Sequence, residues 1–299
     1  MIDDQSVSSC PICKSSDVRF ARPLFDGYNL LACVSCGGQF CSPFLVPSSG
    51  FYAGALDNAS KSRHSGRTSW YPTHPARQSD VFAKGKKGRL LDVGCGNGAF
   101  AEFASSAGYE VIGLDVDATS IEIARSRNIP EASFYCITLE EFSRSKSGLG
   151  QFDVITMFEV FEHLPNPAAT LSLVKSLLRD KGLFVGSLPN VERPLMWQVH
   201  MDYEMPPYHL TYWTTRSWSE FLSQHFRFDV QRCEASIYYG YVSDILMERF
   251  KSRLIQNTIA RYLYPVEFKI EKHYSLGASF YFEAISRGEG GARGEVTSI

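Results

Sequence analysis

The sequence predicts an α/β fold built on a largely parallel sheet, with a small cysteine-bearing module before it. From residue 89 onward, apolar runs of strand length alternate with segments of helical apolar spacing. Strands that alternate with helices are typical of parallel sheets covered on both faces. Before that point, four of the eight cysteines form two Cys-x-x-Cys pairs, which in a reducing compartment indicate metal ligands before disulfides.

Seven runs have the apolar content expected of strands: RLLDVG, EVIGLD, ASFYCI, FDVITM, GLFVGSL, FDVQRC and ASFYFEAIS. Three segments between them have helical spacing: AFAEFASSAG, ATSIEIARSRN and PAATLSLVKSLLRD. A helical insertion is expected at about 240–276, between the last two strands. Its apolar and basic faces favour a helix packed on the domain over a membrane-surface role, because any surface helix has one polar face.

The α/β domain accordingly spans 89–287 and includes this insertion. Residues 1–46 form the cysteine module, and 288–299 are expected to be a disordered tail. Residues 47–88 are predicted to be a connector whose aromatic side chains allow it to fold over a neighbouring ligand as a lid.

Composition and charge exclude several classes of protein. The apolar fraction of 44% is that of a globular chain. The 30 basic residues are balanced by 32 acidic ones, which argues against nucleic acid as the main partner. The first residues lack the apolar core of a signal peptide, and no later run could span a bilayer. We therefore expect a cytoplasmic protein without a membrane partner.

The cysteine module has the spacing of a four-cysteine zinc ribbon. Its ligands would be Cys10, Cys13, Cys33 and Cys36, with 19 residues between the two pairs. Four thiolates fill the tetrahedral shell of zinc and leave no open position, so the predicted zinc is structural.

The stretch LLDVGCGNGAF reads as a strand, a glycine turn and a helix start. It fits a dinucleotide-binding fingerprint. Asp115 at the end of the next strand could bind the ribose of a dinucleotide or of another nucleoside cofactor, so it does not distinguish between them. Asp92, one residue before the glycines, is poorly placed beside a pyrophosphate but well placed for a cationic amino group. S-adenosylmethionine has such a group, no phosphates, and a carboxylate that a helix N-terminus can receive.

Four motifs then carry a family resemblance: LLDVGCGNG, GLDVD, FDVITMFEVFEHLPNP and LLRDKGLFVGSLPN. In this order they resemble class I S-adenosylmethionine-dependent methyltransferases, in the branch with ubiquinone-type O-methyltransferases and bacterial sugar methyltransferases. The resemblance covers about 85–235. It implies a Rossmann-like seven-stranded methyltransferase sheet whose last strand, here ASFYFEAIS, runs antiparallel.

The resemblance also implies the roles of individual residues toward the cofactor. Asp92 and the glycines would line its methionine end, Asp115 its ribose, and the remaining residues its adenine. The implied cofactor-binding residues are Asp92, Gly94, Gly96, Gly98, Asp115, Val116, Ile137 and Thr138.

A hydroxyl acceptor needs a base, and His209 is the preferred candidate. It lies in DYEMPPYHLTYWTTRSW, which resembles the proline-histidine-leucine stretch that borders the acceptor pocket in zinc-ribbon methyltransferases. The neighbouring Tyr208 and Tyr212 are predicted to contact the acceptor, because aromatic rings suit a sugar.

A second cluster, Glu159, Glu162 and His163, follows the strand FDVITM. Its E-x-x-E-H spacing matches the metal-ligating motif of small-RNA 3′-terminal methyltransferases and of ubiquinone O-methyltransferases. Oxygen and imidazole ligands would suit Mg²⁺ or Mn²⁺, with His209 or His200 completing the shell. In the alternative that we favour, the two glutamates and His163 anchor the loop beside the acceptor. Glu159 and Glu162 are then predicted to belong to the substrate site, and His163 is a second catalytic candidate.

The leading functional prediction is therefore methyl transfer to a hydroxyl of a small polyhydroxylated acceptor, such as a nucleotide sugar or a surface-glycan sugar. One alternative is an RNA methyltransferase, since a similar ribbon precedes some ribosomal-RNA guanine methyltransferases. It would need a basic surface, for which FAKGKKGR at 82–89 is the candidate. Another alternative is a non-catalytic scaffold that keeps the cofactor fold.

Overall fold

The computed structural model describes residues 9–47, 74–145, 151–194, 196–197, 204–237, 241–250, 252–274 and 276–287. Most of the predicted lid, the predicted disordered tail and the possible ligand His200 lie outside these residues.

The described residues contain eleven strands in two sheets. In chain order they are β1 (Val18–Pro23), β2 (Asn29–Cys33), β3 (Gln39–Ser42), β4 (Gly88–Val93), β5 (Tyr109–Asp115), β6 (Ala132–Cys136), β7 (Phe152–Phe158), β8 (Leu178–Pro189), β9 (Thr211–Tyr212), β10 (Phe228–Ile237) and β11 (Ser279–Ser286). The α-helices are α1 (Ala99–Ala107), α2 (Ala118–Ser126), α3 (Leu139–Ser145), α4 (Pro167–Leu177), α5 (Thr215–Phe226), α6 (Tyr241–Arg249), α7 (Arg253–Thr258) and α8 (Tyr264–Tyr274).

The larger sheet has seven strands in the order β6-β5-β4-β7-β8-β11-β10. The pairs from β6 to β8 are parallel, whereas β11 runs antiparallel to both β8 and β10. This arrangement confirms the predicted seven-stranded sheet with an antiparallel last strand. Because β4, β5 and β7 are parallel neighbours, the residues that follow them meet at one edge of the sheet.

Local sequence explains how the first two helices begin and end. Helix α1 buries Phe100, Ala101 and Ala104 at helical spacing and ends at Gly108 with a φ of +114°, a conformation that glycine adopts at little cost. Helix α2 begins after Asp117, whose carboxylate accepts hydrogen bonds from the first free backbone N–H groups. Both starts therefore lie at the carboxyl edge of the sheet.

The insertion between β10 and β11 comprises α6, α7, a π-helical turn at Ile259–Leu263, and α8. Helix α8 is held to α6 by polar contacts. The Glu267 carboxylate accepts hydrogen bonds from the backbone of α6, and Glu271 is buried. On the same helix, Val266 and Ile270 are 54% and 49% exposed.

Every described helix is too short or too polar to cross a lipid bilayer.

The smaller sheet has the order β1-β2-β3-β9. Three of its strands come from the cysteine module, while β9 comes from the α/β domain. The two parts also share one hydrophobic core, because Ile12 and Phe40 of the module are buried in the same cluster as Trp213 and Trp218. The module is thus joined to the α/β domain both by strand pairing and by packing.

Candidate active site

The four predicted zinc ligands lie together. The Sγ atoms of Cys10 and Cys36 are 3.8 Å apart, those of Cys13 and Cys33 are 3.5 Å apart, and all four lie within 4.8 Å of one another. A disulfide would need about 2.05 Å between its sulfur atoms. A tetrahedron with zinc–sulfur bonds of about 2.3 Å has edges of about 3.8 Å. The geometry therefore fits a structural zinc.

The glycine turn after β4 leaves a cradle at the carboxyl edge of the sheet. Gly94 has a φ of +76°, and a Cβ there would lie 2.3 Å from Cγ2 of Val160, so only glycine fits. Gly96 has a φ of +51°, and a Cβ on it would meet nothing within 4 Å. The backbone of the turn is tightly packed at Gly94 and open at Gly96. A ligand could approach it at Gly96.

Asp92 is buried directly beneath this turn, at 2% exposure. Its Oδ1 accepts a hydrogen bond of 2.7 Å from the hydroxyl of Thr156, whereas its Oδ2 has no partner among the described residues. Burial raises the pKa of Asp92 to about 7, and the nearby charge of Asp115 adds to the effect. An unpaired, buried carboxylate oxygen is a ready partner for a cationic group of a ligand.

The other predicted cofactor residues are arranged around the same edge. The carboxylate of Asp115 accepts hydrogen bonds of 2.9 Å from the backbone N–H groups of Gly96 and Asp117, so it holds the turn in place. Val116 is 61% exposed and offers an apolar surface. Gly98 precedes the first residue of α1, and Ile137 is half-buried against the core.

Thr138 has a structural role that the predicted adenine contact did not include. Its backbone N–H and its hydroxyl both donate to the carboxylate of Glu141, and the hydroxyl accepts from the Glu141 N–H. This is a reciprocal cap at the start of α3. The Thr138 hydroxyl is therefore already engaged.

A second polar cluster is formed by Glu162, His163 and His209. The Oε1 of Glu162 lies 3.8 Å from Nε2 of His163 and 4.0 Å from Nε2 of His209. Nδ1 of His163 lies 2.7 Å from the carbonyl oxygen of Tyr208, so that nitrogen carries the proton. The sequence separates Glu162 from His209 by many residues, and the fold brings them together.

Burial favours the uncharged forms of the Glu162 and His209 side chains. Glu162 is 1% exposed and His209 is 5% exposed. Burial raises the pKa of Glu162 well above its usual range and lowers the pKa of His209 well below its own. The Oε2 of Glu162 and the Nδ1 of His209 have no hydrogen-bond partner among the described residues. A neutral imidazole with an unpaired nitrogen can accept a proton from an incoming hydroxyl.

A sequence-family model described as "Methyltransferase domain" matches residues 69–231, more than half of the chain. The chain belongs to this methyltransferase family. The match includes the glycine turn and the cluster around Glu162 and His209, which therefore lie within the methyltransferase domain.

Curated relatives agree with this assignment over a shorter span. The ubiquinone biosynthesis O-methyltransferase of Marinobacter nauticus is 33% identical over 104 residues, which are 33% of this chain and 44% of the relative. That of Pasteurella multocida is 34% identical over 116 residues, which are 36% of this chain and 47% of the relative. The chain thus matches just under half the length of these relatives.

Solved structures share the fold at low sequence identity. The cyclase SpnF has a TM-score of 0.52 and 16% identity, over 81% of this chain and 98% of SpnF. A Bacillus halodurans protein, assigned as a candidate methyltransferase, has a TM-score of 0.50 and 14% identity, over 71% of this chain and 98% of that protein. Since one of these neighbours is a cyclase, the fold alone does not define the reaction.

Two residues predicted at the acceptor side of the methyltransferase domain have hydrogen-bond partners within the protein. Glu159 lies outside the cluster of ligand atoms, because its φ of +54° turns its carboxylate toward the hydroxyls of Ser187 and Ser279. Tyr212 is 2% exposed, and its hydroxyl donates to the carbonyl oxygen of His209 at 3.2 Å. Tyr212 thus supports the His209 segment from below, whereas Tyr208 is half-buried beside it.

Sequence reasoning missed two polar residues near the site. Thr156, the hydrogen-bond partner of Asp92, stands out in FDVITM as a buried polar residue within an apolar strand, and this signal was available. Arg193 is buried, forms an ion pair with Glu204, and contributes to lowering the pKa of His209. No periodicity or motif marks Arg193 in the sequence.

Proposed function

We propose that this protein is an S-adenosylmethionine-dependent methyltransferase that methylates a hydroxyl of a small polyhydroxylated acceptor. The observation that carries the proposal is the meeting of two features at one sheet edge. The glycine cradle with the unpaired carboxylate of Asp92 follows β4, and the buried pair of Glu162 and His209 is anchored after β7, the neighbouring strand.

The methionine end of the cofactor would be held by Asp92 and the glycine turn. Oδ2 of Asp92 would accept a hydrogen bond from the cofactor's ammonium group, and the resulting ion pair would lower the pKa of this carboxyl group. The start of α1 would receive the cofactor's carboxylate, because the free N–H groups of a helix N-terminus attract anions. The bound cofactor supplies an activated methyl group.

The ribose and adenine would lie along the ends of β5 and β6. Asp115 would accept hydrogen bonds from the ribose hydroxyls, and exposed Val116 would pack against the adenine ring. Ile137 and the backbone of Thr138 would border its edge. Because Glu141 engages both the hydroxyl and the backbone N–H of Thr138, Thr138 would border the adenine through van der Waals contact.

His209 is proposed as the base. Its Nδ1 would take the proton of the acceptor hydroxyl, and a carboxyl oxygen of Glu162, 4.0 Å from Nε2, would face the positive charge that forms on the ring. His163 is tied to the Tyr208 carbonyl through Nδ1, so it is proposed to fix the wall of the site beside the base. Glu159 would anchor the loop through Ser187 and Ser279.

A divalent ion at Glu162, His163 and His209 is the second candidate. The donor types suit Mg²⁺ or Mn²⁺, and the orphaned Oε2 of Glu162 and Nδ1 of His209 favour a missing partner. The separations of 3.8 and 4.0 Å are wider than the roughly 3.0 Å between neighbouring ligands of an octahedral ion with bonds near 2.1 Å. The ligand atoms would have to approach one another by about 1 Å to bind such an ion. We therefore prefer the assignment of His209 as a base over the metal site.

The acceptor class is proposed as a nucleotide-linked sugar or a surface-glycan sugar. A hydroxyl acceptor is supported by the relatives, which are named as O-methyltransferases. Their names also make an acceptor from ubiquinone biosynthesis the competing class, for which dihydroxybenzenes serve as probe compounds in the panel.

The basic run at 82–89 gives little support to an RNA acceptor. Lys84, Lys86 and Lys87 are exposed and immediately precede β4. They therefore lie at the amino edge of the sheet, whereas the cradle and His209 lie at the carboxyl edge. A basic surface that guided RNA into the site would have to lie on the same side as the site.

The proposal is tested by turnover of labelled S-adenosylmethionine with nucleotide sugars, with dihydroxybenzenes, and with RNA. We expect labelled product from a nucleotide sugar, and equal activity after removal of divalent ions by EDTA. Zinc content is measured after the EDTA step, so that loss of the ribbon zinc is recognised. Product from dihydroxybenzenes alone, or from RNA alone, would replace the acceptor class, and cofactor binding without turnover on any acceptor would favour a scaffold.

A further inference from the structure

The zinc ribbon is hydrogen-bonded directly to the segment that carries His209. Strand β3 pairs antiparallel with β9, with Phe40 opposite Thr211. Beyond this pair, the N–H of Cys41 donates to the carbonyl oxygen of Leu210 at 3.1 Å. The N–H of Leu210 in turn donates to the carbonyl oxygen of Glu162 at 2.8 Å. One residue, next to His209, thus joins the ribbon to the loop of Glu162.

Side-chain packing joins the same parts. Phe40 is fully buried and belongs to the same apolar cluster as Trp213. A Cβ on Gly38 would lie 2.7 Å from Cδ1 of Ile12 and 2.9 Å from Cη2 of Trp213. Ile12 lies between the zinc ligands Cys10 and Cys13 in sequence. Gly38 is therefore packed so closely between Ile12 of the zinc knuckle and Trp213 that a methyl group on it would not fit.

The His209 segment needs such support because it has little structure of its own. Strand β9 has two residues, too few for a strand to be stable without partners. The far end of the segment is held by the bridge between Asn190 and Trp213. At the end next to His209, the backbone is fixed by Cys41 and Glu162.

We propose that the zinc ribbon positions the base. In this arrangement the zinc knuckles hold β3, β3 holds the backbone at 210–212, and His209 is kept facing Glu162. The inference rests on the proposed function for the role of His209, but the structural coupling it describes is independent of any acceptor. Phe40 is then a positioning residue. A displacement of about 1 Å at a reacting group can cost about 100-fold in rate, so a substitution of Phe40 that lets the His209 segment move should lower kcat.

The test replaces Phe40 and a matched phenylalanine of the same ribbon. Phe40 is 0% exposed, whereas Phe20 on β1 is 63% exposed. Phe142→Ala, a buried core position near Phe152, serves as a control for general loss of stability. For each variant we measure kcat, the KM for the acceptor, the Kd for S-adenosylmethionine by calorimetry, zinc content, and amide hydrogen exchange of a peptide covering 205–213.

For Phe40→Ala we expect a kcat lower by about 10- to 100-fold, faster exchange at 205–213, and an unchanged Kd for S-adenosylmethionine with zinc retained. The Phe20→Ala and Phe142→Ala variants should keep kcat and the exchange rate of this peptide. Phe40→Leu should recover most of the loss, which also covers the case in which Phe40→Ala fails to fold. Removal of zinc from the unmodified protein should speed exchange at 205–213 while cofactor binding persists.

Unchanged exchange at 205–213 after both the Phe40 substitutions and zinc removal would overturn the inference. So would an equal loss of kcat in Phe142→Ala, since the effect would then be general. If the unmodified protein transfers no methyl group to any acceptor, the proposed function fails, and the exchange measurements alone still decide whether the ribbon holds the His209 segment.

Discussion

The replacement Asp92→Asn should stabilise the cofactor-free protein while weakening cofactor binding. Asparagine has nearly the same shape and can still accept the hydrogen bond that Thr156 donates to Asp92 at 2.7 Å. It cannot ionise, so the cost of burying a charge disappears. It also cannot form an ion pair with the ammonium group that we place beside Oδ2.

The size of the stabilisation follows from the pKa of Asp92. Burial raises this pKa from 3.8 to about 7. Between these values the carboxyl group is ionised in the unfolded chain and protonated in the folded protein, so its contribution to stability falls as pH rises. At about 1.36 kcal/mol per pH unit, the loss reaches about 4 kcal/mol above pH 7. Below pH 4 both states are protonated, and the difference vanishes.

Urea denaturation without cofactor, at several pH values, measures this effect. The Asp92→Asn protein should be more stable than the unmodified protein by about 4 kcal/mol at pH 8 and by about 1.5 kcal/mol at pH 5. The same change at exposed Asp180 is the matched control for the loss of one surface charge, and substitutions at exposed positions usually change stability by less than about 0.5 kcal/mol. Calorimetric titration should show a cofactor affinity lower by about 10- to 100-fold, since hydrogen bonds to charged groups contribute about 1.5–3 kcal/mol.

Two results would refute this reasoning. If Asp92→Asn is less stable than the unmodified protein at pH 8, the carboxylate is paired with a group that the structure does not show. If the stability gain is the same at pH 5 and pH 8, Asp92 does not titrate in this range. Unchanged affinity for S-adenosylmethionine would separate Asp92 from the cofactor while leaving the stability argument intact.

Two further predictions concern the glycine turn and the zinc ribbon. Gly94→Ala should lower the free energy of unfolding by about 2–4 kcal/mol in urea denaturation, because it combines a φ of +76° with a Cβ only 2.3 Å from Val160. The control Gly27→Ala, with a φ of +81° and open space around the Cβ, should cost only about 1 kcal/mol. Equal costs would contradict the steric argument. Cys13→Ala should lower the zinc content from one equivalent to near zero in metal analysis and reduce the melting temperature in calorimetry. The control Cys136→Ala should keep the zinc. Retained zinc in Cys13→Ala would contradict the four-thiolate site.

The large sheet and the glycine turn could be predicted because their signals are local. Apolar runs of strand length and glycines at fixed spacing lie within a few residues of one another, and local pattern is what sequence reasoning detects best. The cysteine pairs are local in the same sense, since each knuckle is contained in four residues. The match of these features to the structure follows from that locality.

Long-range contacts could not be predicted in this way. The pairing of Phe40 with Thr211 joins distant parts of the chain through a two-residue strand, which is too short to show any periodicity. The approach of Glu162 to His209 likewise depends on how two loops meet after the sheet has formed. The sequence offered His209 as one of two histidines that could complete a shell with Glu162 and His163, and the fold shows that His209 lies with them.

The direction of individual side chains was the other feature that the sequence could not predict. The spacing of Glu159 and Glu162 suggests one shared site, but the positive φ of Glu159 turns its carboxylate away. In contrast, the cap formed by Thr138 and Glu141 was readable, because a threonine followed three residues later by glutamate is a helix-start signal. The resemblance to known methyltransferases drew attention to adenine instead.

The most direct test of the central claim is methyl transfer by His209→Ala, measured with labelled S-adenosylmethionine and the best acceptor of the panel. His225→Ala, an exposed histidine on α5, is the matched control, and the Kd for S-adenosylmethionine is measured for each protein. We predict that His209→Ala lowers kcat by about 100-fold or more with the Kd unchanged, while His225→Ala keeps full activity. Full activity in His209→Ala would contradict the assignment of the buried cluster as the site of chemistry.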